Sequence, residues 1–497
     1  MDKVRLVLKS CLDYLFVVLI AAILIGMLSF GFYDSSIVSW VGMIATSLIA
    51  IFLIWRLVNW QIKNSDKIKL NYLFIGLLIA LILAQVIFII IFEIVPSWDF
   101  GHVSRAAEMA VVPRGWQPLD LRWQEPYIQT YFLYYPHNYP LVIIYTVLYY
   151  LFGTSTYVLF GFGMVCIAIT QFFIFLFLKN NFSKQTVIKL LMLMFTFYPY
   201  LSYCLIPYTD VVALPFFAMV LWLVIKDRKI RLSIPIVIAL TVVMGVGSNI
   251  KILMLIPAIA YVIYWILHFQ GFKTILAVVP LTGYILVHLW VASFWNQSTL
   301  LYSPYEHAGI TPYYYMSLGL NLETMGQYSQ NDYDESMNFA DDLYNNDKEV
   351  IVEYYRDKVK ERLSVGPQAL TELYYNKIFY TFGIGDYGMS DYITRSPVKV
   401  DSQVRLFFTE GVGREMIFYY AEIMQFMFFI AMFYLGFAKR KNQSAEQMWL
   451  KTIFTGFFLY FMLFEAGSRY SLLMTPLFFY YLAACIEDAK VQQGNEE

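Results

Sequence analysis

Long apolar runs dominate this chain, and short polar segments separate them. A run of about 20 apolar residues is long enough to cross the roughly 30 Å hydrocarbon core of a bilayer as a helix. The pattern therefore predicts an all-α polytopic membrane protein with about 12 transmembrane helices. The predicted spans lie near residues 12–32, 38–58, 71–95, 155–178, 186–204, 211–226, 232–248, 250–267, 274–294, 415–437, 448–466 and 470–486.

The basic residues between these runs predict the orientation of the chain. Short loops rich in lysine and arginine stay in the cytoplasm. If both termini are cytoplasmic, every short basic loop falls on the inner side. The basic residues before the first run have no cleavage site after them, so we interpret that run as a retained anchor in a bacterial plasma membrane. These basic groups are Lys3 to Lys9, Arg56 to Lys69, Lys179 and Lys184, Lys226 to Arg231, Lys273, and Lys439 to Lys441.

This orientation divides the chain into segments. Residues 1–95 form N-terminal spans, and 155–294 form a central transmembrane bundle. Residues 96–154 are predicted to be a first outer loop with interfacial helices, and 295–414 a large, partly helical extracytoplasmic loop. Residues 415–497 supply the last spans and a cytoplasmic tail. Large outer loops predict that the function is carried out at the outer face.

The apolar stretch from Tyr139 to Phe152 is short for a span. Counting it, or 139–153, as a span would place Lys179 and Lys184 outside, against the distribution of positive charge. We interpret it as a helix lying along the outer interface, where its tyrosines suit the headgroup level.

Composition agrees with a membrane protein and excludes some partners. The chain is 59% hydrophobic and 14% charged, and its net charge is −1. No bulk positive field recruits nucleic acid, so membrane lipids are the expected surroundings. The cysteines lie in or beside apolar runs without CxxC spacing, which predicts neither a disulfide nor a zinc site.

Ionisable residues recur at the predicted outer ends of the spans. Asp99 stands out because it follows directly on the span that ends near Val95. Charged groups at membrane depth are costly and are functional candidates by default. One such residue is usually a boundary marker, but their number here predicts a shared polar cavity. They are Asp99, Glu108, Glu125, His137, Asp210, Lys251, Glu465 and Arg469.

Short motifs surround several of these residues in a fixed order. This order and the shared sidedness resemble the GT-C class of membrane glycosyltransferases, which includes the protein O-mannosyltransferases and the aminoarabinose transferase of lipid A, in its Gram-positive type. Two features depart from that class: Phe100 stands where a second acidic residue is usual, and His137-Asn138 replaces the usual lysine before proline. The motifs are Asp99, Tyr135-Pro136-His137-Asn138-Tyr139-Pro140, Pro207-Tyr208-Thr209-Asp210, Asn249-Ile250-Lys251, Tyr315-Met316-Ser317-Leu318-Gly319-Leu320 with Gly326-Gln327-Tyr328, and Glu465-Ala466-Gly467-Ser468-Arg469-Tyr470.

The resemblance implies transfer of a sugar from a polyprenyl-phosphate donor to an acceptor at the outer face. The acceptor would be an envelope polysaccharide, a teichoic-acid-like polymer or a glycolipid. Asp99 is the expected general base, because an acceptor hydroxyl must lose its proton. Lys251 and Arg469 are the expected cations for the donor phosphate. The remaining predicted substrate-binding residues are Asp210, Tyr470, His137 and Glu125.

No cofactor follows from the sequence. The stretch Asp332-Tyr333-Asp334 looks like the DxD metal motif of soluble glycosyltransferases, but it lies in a polar, acidic loop region. We expect a solvated turn there, so no motif supports a divalent metal.

Two other function classes stay open at this stage. A transporter or flippase for lipid-linked saccharides would be expected to show repeat symmetry and broken helices in mid-membrane, whereas here the charges gather at one face. A polysaccharide polymerase or ligase also has many spans and a large outer loop, and the context of Asp99 in the first loop argues against it.

Sidedness is directly testable. In a background whose native cysteines are replaced by serine, Asn331→Cys and Gln124→Cys should react with an impermeant maleimide on intact cells. Lys67→Cys, Lys229→Cys and Lys441→Cys should react only after the cells are opened, because basic loops remain inside. Labelling of position 229 from outside, or none at 331, would contradict the predicted orientation.

Overall fold

Helices form nearly all the regular structure of the computed structural model, which describes residues 2–33, 68–111, 126–268, 271–297, 309–345, 347–398, 402–438 and 445–493. In the first part of the chain the helices are α1 (Asp2–Tyr33), α2 (Leu70–Phe92), α3 (Trp98–Val111), α4 (Pro126–Tyr134), α5 (Tyr139–Phe152), α6 (Thr156–Asn181), α7 (Lys184–Thr196), α8 (Tyr198–Ser202), α9 (Thr209–Val224), α10 (Ile234–Ile250), α11 (Leu255–Leu267), α12 (Phe272–Leu276) and α13 (Val279–Gln297).

The second part of the chain is also helical. Its helices are α14 (Pro312–Gly319), α15 (Gln330–Ser336), α16 (Ala340–Tyr344), α17 (Lys348–Leu363), α18 (Pro367–Ile378), α19 (Met389–Arg395), α20 (Gln403–Thr409), α21 (Val412–Ala438), α22 (Ala445–Leu463), α23 (Ser468–Ser471) and α24 (Thr475–Gln493). Short 3₁₀ turns extend several of them: Pro136–Asn138, Tyr203–Leu205, Ile252–Met254, Met337–Phe339 and Leu472–Met474. A π-helical turn, Phe379–Gly383, follows α18.

One small hairpin joins α9 to α10. Strands β1 (Ile225–Lys226) and β2 (Lys229–Ile230) pair antiparallel. The two residues between them, Asp227 and Arg228, both have positive φ, at 51° and 56°. Positive φ at both central residues is the geometry of the tight turns that close two-residue hairpins. The hairpin lies in one of the basic loops predicted to be cytoplasmic.

The helical membrane fold is confirmed at the level of its long helices. Among the described residues, six helices are long and apolar enough to cross a membrane, or seven if a pair bent by 54° counts as one span. The total of about 12 spans stays a prediction, and the predicted span 38–58 lies outside the described residues. The six are Ser10–Leu28, Leu70–Phe92, Thr156–Asn181, Phe272–Ser293, Val412–Phe437 and Ser468–Ala489, and the bent pair is Lys184–Thr196 with Tyr198–Leu205.

Helix α5 occupies the segment predicted to be interfacial. It has 14 residues, so at 1.5 Å per residue it is about 21 Å long, short of the roughly 30 Å of hydrocarbon. Of its tyrosines only Tyr150 is exposed, whereas Tyr139, Tyr145 and Tyr149 are buried in protein. Most of these rings therefore pack against protein and not among lipid headgroups. The expectation that the tyrosines of this helix suit the headgroup level was wrong for Tyr139, Tyr145 and Tyr149.

Glycine allows two helices of the central bundle to approach closely. A Cβ atom on Gly283 of α13 would lie 2.0 Å from the carbonyl oxygen of Thr241 on α10, and one on Gly245 would lie 2.7 Å from the carbonyl oxygen of Gly283. Asn249 then donates hydrogen bonds to the carbonyls of Gly245 (2.8 Å) and Tyr284 (3.1 Å). This contact fixes the end of α10, which Lys251 follows directly.

The segment after residue 309, predicted to face outward and called the outer segment below, contributes to two small hydrophobic cores and contains an ion-pair network. Asp332 is 3% exposed in α15 and pairs with Arg362 at 2.7 Å and Lys358 at 2.8 Å. Asn321 donates to the same carboxylate at 2.8 Å. The expectation of a solvated turn at Asp332 was therefore wrong, because basic partners on α17 bury it. The network borders a cavity of about 500 Å³.

The Asp332 network should make the outer segment sensitive to acid. Burial alone would raise the pKa of Asp332, but hydrogen bonds from Arg362, Lys358 and Asn321 outweigh it and lower the pKa to about 2. A carboxyl with a folded pKa below its unfolded value of about 3.9 stabilises the fold above that value. The stabilisation should be lost as pH falls from about 4 to about 2.

The measurement is proteolysis of the outer segment as a function of pH, with an acid-tolerant protease. Wild type should become susceptible in that window, whereas Asp332→Asn should already be susceptible at neutral pH. Asp334→Asn is the matched control, because Asp334 is exposed on the same helix. Equal susceptibility of all three proteins at every pH would contradict a stabilising role for Asp332.

Candidate functional site

Asp210 lies at the centre of a buried group of charges. Its side chain is 1% exposed and receives two cations, Lys251 Nζ at 2.6 Å and Arg469 Nε at 3.1 Å. Neither carboxylate oxygen has an aligned hydrogen bond, so charge attraction holds the three side chains together. Removing one partner of such a buried group leaves an uncompensated charge, which is strongly destabilising.

Three separate elements deliver these charges. Asp210 is in the first turn of α9, where the helix dipole favours a carboxylate. Lys251 is the residue at which α10 ends, in extended backbone before a 3₁₀ turn. Arg469 belongs to the short helix α23, which begins after Gly467. Helix ends, where the chain changes direction, thus bring the charges of the bundle together.

Aromatic rings cover the two cations. The ammonium of Lys251 lies 4.4 Å from the ring centre of Tyr470, and the guanidinium of Arg469 lies 5.4 Å from the rings of both Tyr208 and Tyr470. Cations at such distances are attracted by the ring quadrupole. The Tyr470 hydroxyl donates to Glu465 at 2.9 Å, which links a further carboxylate to the group.

A chain of hydrogen bonds leads from this centre to Asp99. The hydroxyl of Tyr208 donates to Asn138 Oδ1 at 2.8 Å, and Asn138 Nδ2 donates to the hydroxyl of Tyr131 at 2.7 Å. The Tyr131 hydroxyl in turn donates to Asp99 Oδ1 at 3.1 Å. The tyrosines and the asparagine are buried, whereas Asp99 is half-buried. One end of the relay is therefore a partly exposed carboxylate.

The backbone before Asp99 is held in an unusual conformation. Trp98 has φ of 51° although it is not glycine, and such residues persist only where their surroundings enforce them. The ring of Tyr392 lies 4.7 Å from that of Trp98, and its hydroxyl donates to the Ser97 carbonyl at 3.4 Å. Val95 N donates to the Pro397 carbonyl at 2.8 Å. The segment after α19 thus positions Asp99.

The other predicted site residues have different outcomes. His137 is exposed and lies within range of the charges of Asp99 and Lys251. Glu125 lies outside the described residues. Glu108 is exposed and pairs with Arg105 at 2.7 Å. Glu108 follows Asp99 by nine residues on the same helix, which is about two and a half turns. The two side chains therefore point to opposite faces of α3, and Glu108 does not join the site.

Sequence reasoning missed the neutral residues of the site. Tyr131 and Tyr392 were not singled out, and Asn138 was noted only as part of a departure from the GT-C pattern. The structure gives that asparagine a role, since its amide both accepts from Tyr208 and donates to Tyr131. Asn138 lies between Pro136 and Pro140, on a 3₁₀ turn directly before α5, and this sequence context could have indicated its position.

The arrangement combines a carboxylate with two cations that share one counter-charge. With all three ionised, Asp210, Lys251 and Arg469 carry a net charge of +1, and Tyr470 brings the carboxyl group of Glu465 beside them. Asp99 can accept a proton near this group. Within the described ranges, no group of three or more His, Cys, Asp or Glu side chains converges as metal ligands would.

Comparison with known proteins gives the family. A family model described as a conserved hypothetical integral membrane protein matches residues 7–490. The chain belongs to this family. Neither a curated protein nor a solved structure matches the chain. Family membership establishes an integral membrane protein, in agreement with the long apolar helices.

The central role of Asp210 can be measured without knowing the reaction. Asp210→Asn should lower the thermal midpoint of the purified protein sharply, because breaking a buried ion pair costs about 3–5 kcal/mol. Glu108→Gln is the control, since an exposed pair contributes about 0–1 kcal/mol. A midpoint for Asp210→Asn within error of wild type would show that the buried charges do not hold the helix ends together.

Proposed function

We propose that this protein is an integral membrane glycosyltransferase. It moves a sugar from a polyprenyl-phosphate donor to an envelope polymer or glycolipid at the outer face of a bacterial plasma membrane. The observation that carries the proposal is the chain of contacts between a partly exposed carboxylate, Asp99, and a cationic centre, Lys251 with Arg469. Hydrogen bonds lead from Asp99 through Tyr131 and Asn138 to Tyr208, and the Tyr208 ring lies 5.4 Å from the Arg469 guanidinium. The carboxylate and the cationic centre both lie at ends of apolar helices, where a lipid-linked substrate would present its polar head.

The reaction needs both parts. A hydroxyl oxygen of the acceptor forms a bond to the anomeric carbon of the donor sugar, and the bond from that carbon to the phosphate oxygen breaks. The acceptor proton passes to Asp99, and the polyprenyl phosphate leaves with the electron pair. Attack from the face opposite the phosphate inverts the anomeric configuration. General-base help of this kind contributes about 10² to 10⁴ in rate.

Both cations have N–H donors available for a phosphate. Arg469 uses Nε for Asp210, so its terminal nitrogens can donate to phosphate oxygens, a grip for which a guanidinium is well shaped. Lys251 pairs with Asp210 and has further N–H donors. Charge developing on the leaving phosphate would meet donors already in place, which is the most effective form of electrostatic catalysis. Asp210 acts here as a positioning residue.

The decisive variant is Asp99→Asn. It keeps the shape of the side chain and its capacity to accept from Tyr131 but removes the basicity. Turnover of a polyprenyl-phosphate sugar in liposomes, measured with an envelope polysaccharide extract as acceptor, should fall by about 10² or more. Donor binding should persist, because Lys251 and Arg469 are unchanged.

Glu108→Gln is the matched control, since it neutralises a carboxylate of the same helix that faces away from the site. Its turnover should equal that of wild type. Full turnover by Asp99→Asn would place the base elsewhere and remove the chemical argument for transfer. Equal loss of donor binding and turnover would instead make Asp99 a binding residue.

A further inference from the structure

The outer segment is hydrogen-bonded to Glu465 and Ala466, and it carries two tyrosines that the reaction described above does not use. We propose that Tyr328 and Tyr333 form a stacking platform for a saccharide, so that the acceptor is a carbohydrate chain. This inference rests on the proposed function for its link to transfer. The binding of a saccharide to the platform can be tested separately.

Backbone contacts fix the platform against the membrane helices. Glu465 N donates to the Tyr315 carbonyl at 3.0 Å, and Ala466 N donates to the Gly326 carbonyl at 2.8 Å. Gly326 has φ of 75° and packs tightly, since a Cβ there would lie 2.9 Å from Lys377 Cδ. Tyr328 is therefore two residues away from Gly326, which is hydrogen-bonded to the segment that carries Glu465 and Arg469.

Lys377 strengthens this attachment. Its side chain is fully buried and donates to the carbonyls of Gly319 at 2.7 Å and Met462 at 3.1 Å. Met462 lies in the last turn of α22, whose carbonyls lack partners within the helix and favour a positive charge. The lysine thus joins the outer segment to the end of a membrane helix, directly before Glu465.

Tyr328 is exposed and Tyr333 partly exposed, and both rings are held in place. Their centres are 6.2 Å apart at an angle of 47°, and Tyr328 is 50% exposed. The Tyr328 hydroxyl donates to Gln330 at 3.0 Å. Ser329 caps α15 by accepting from Asp332 N at 3.2 Å, and the Asp332 ion pairs anchor the same helix from its other side. The platform is thereby preorganised.

A carboxylate lies beside these rings. Gln330 accepts from the Tyr328 hydroxyl at 3.0 Å and donates to Asp334 Oδ1 at 2.8 Å. The pKa of Tyr333 is raised by burial first and then by the charges of Asp99 and Asp334. The hydrogen bonds through Gln330 thus place the Asp334 carboxylate next to the platform.

Aromatic faces next to carboxylates suit carbohydrates. The ring face is electron-rich and attracts the positively polarised C–H groups on the apolar side of a sugar, while carboxylates accept from its hydroxyls. An acyl chain would gain nothing from the Asp334 carboxylate beside the rings and would desolvate it at a cost. The combination favours a saccharide over a lipid.

The experiment uses purified full-length protein in nanodiscs and linear tetrasaccharides of glucose, N-acetylglucosamine and rhamnose as probes. Binding is measured by saturation-transfer NMR and titration. At least one probe should bind wild type. Tyr328→Ala and Tyr333→Ala should weaken it roughly three- to tenfold, the effect of losing one aromatic contact. Tyr328→Phe should stay within about twofold, because it keeps the ring.

Tyr375→Ala is the matched control, a partly exposed tyrosine on α18 of the same outer segment, and it should bind like wild type. Failure of every tetrasaccharide to bind wild type would overturn the proposal, as would wild-type affinity in Tyr328→Ala. Equal weakening by Tyr328→Phe and Tyr328→Ala would also overturn it, since stacking would not be the cause. None of these readouts depends on turnover, so they are separate from the Asp99→Asn test.

Discussion

The buried carboxylate of Asp210 is the constraint on which the arrangement of this site depends. Two cations and one anion would each lose several kcal/mol of hydration at this depth if they were unpaired. Their mutual contact therefore dictates where the first turn of α9, the end of α10 and the short helix α23 must meet. Apolar packing alone, which is non-directional, would not fix this meeting point.

A second level of organisation extends from that centre to Asp99. Each hydrogen bond of the Tyr208–Asn138–Tyr131 relay satisfies at least one buried polar group. The strained Trp98 and the contacts from Tyr392 and Pro397 orient the same carboxylate from the other side. Because the latter two come from beyond residue 390, the geometry of the site depends on the outer segment as much as on the bundle.

Some of this could be read from the sequence. Hydropathy indicated the long helices because a bilayer imposes a minimum apolar length, and Asp210, Lys251 and Arg469 were found because charge at that depth is rare. The relay residues were not found, since neutral tyrosines are uninformative in a chain with 41 of them. Asp332 was wrongly predicted to be solvated because its partner Arg362 is 30 residues away in the sequence. Glu108 was wrongly grouped with the site residues because its position around the helix relative to Asp99 was not considered.

The partners of Lys251 and Arg469 explain how a tightly paired centre could still bind a phosphate. Asp210 satisfies one side of each cation, and the face of Tyr470 or Tyr208 covers another. A cation–π contact contributes about 0.5–2 kcal/mol, less than a buried ion pair. Under the proposed function, an incoming phosphate would meet N–H donors that neither Asp210 nor the rings use, and Asp210 would stay in place. The buried ion pairs would then keep the fold intact while the remaining donors bind, so stability and binding would rest on different atoms of the same two cations.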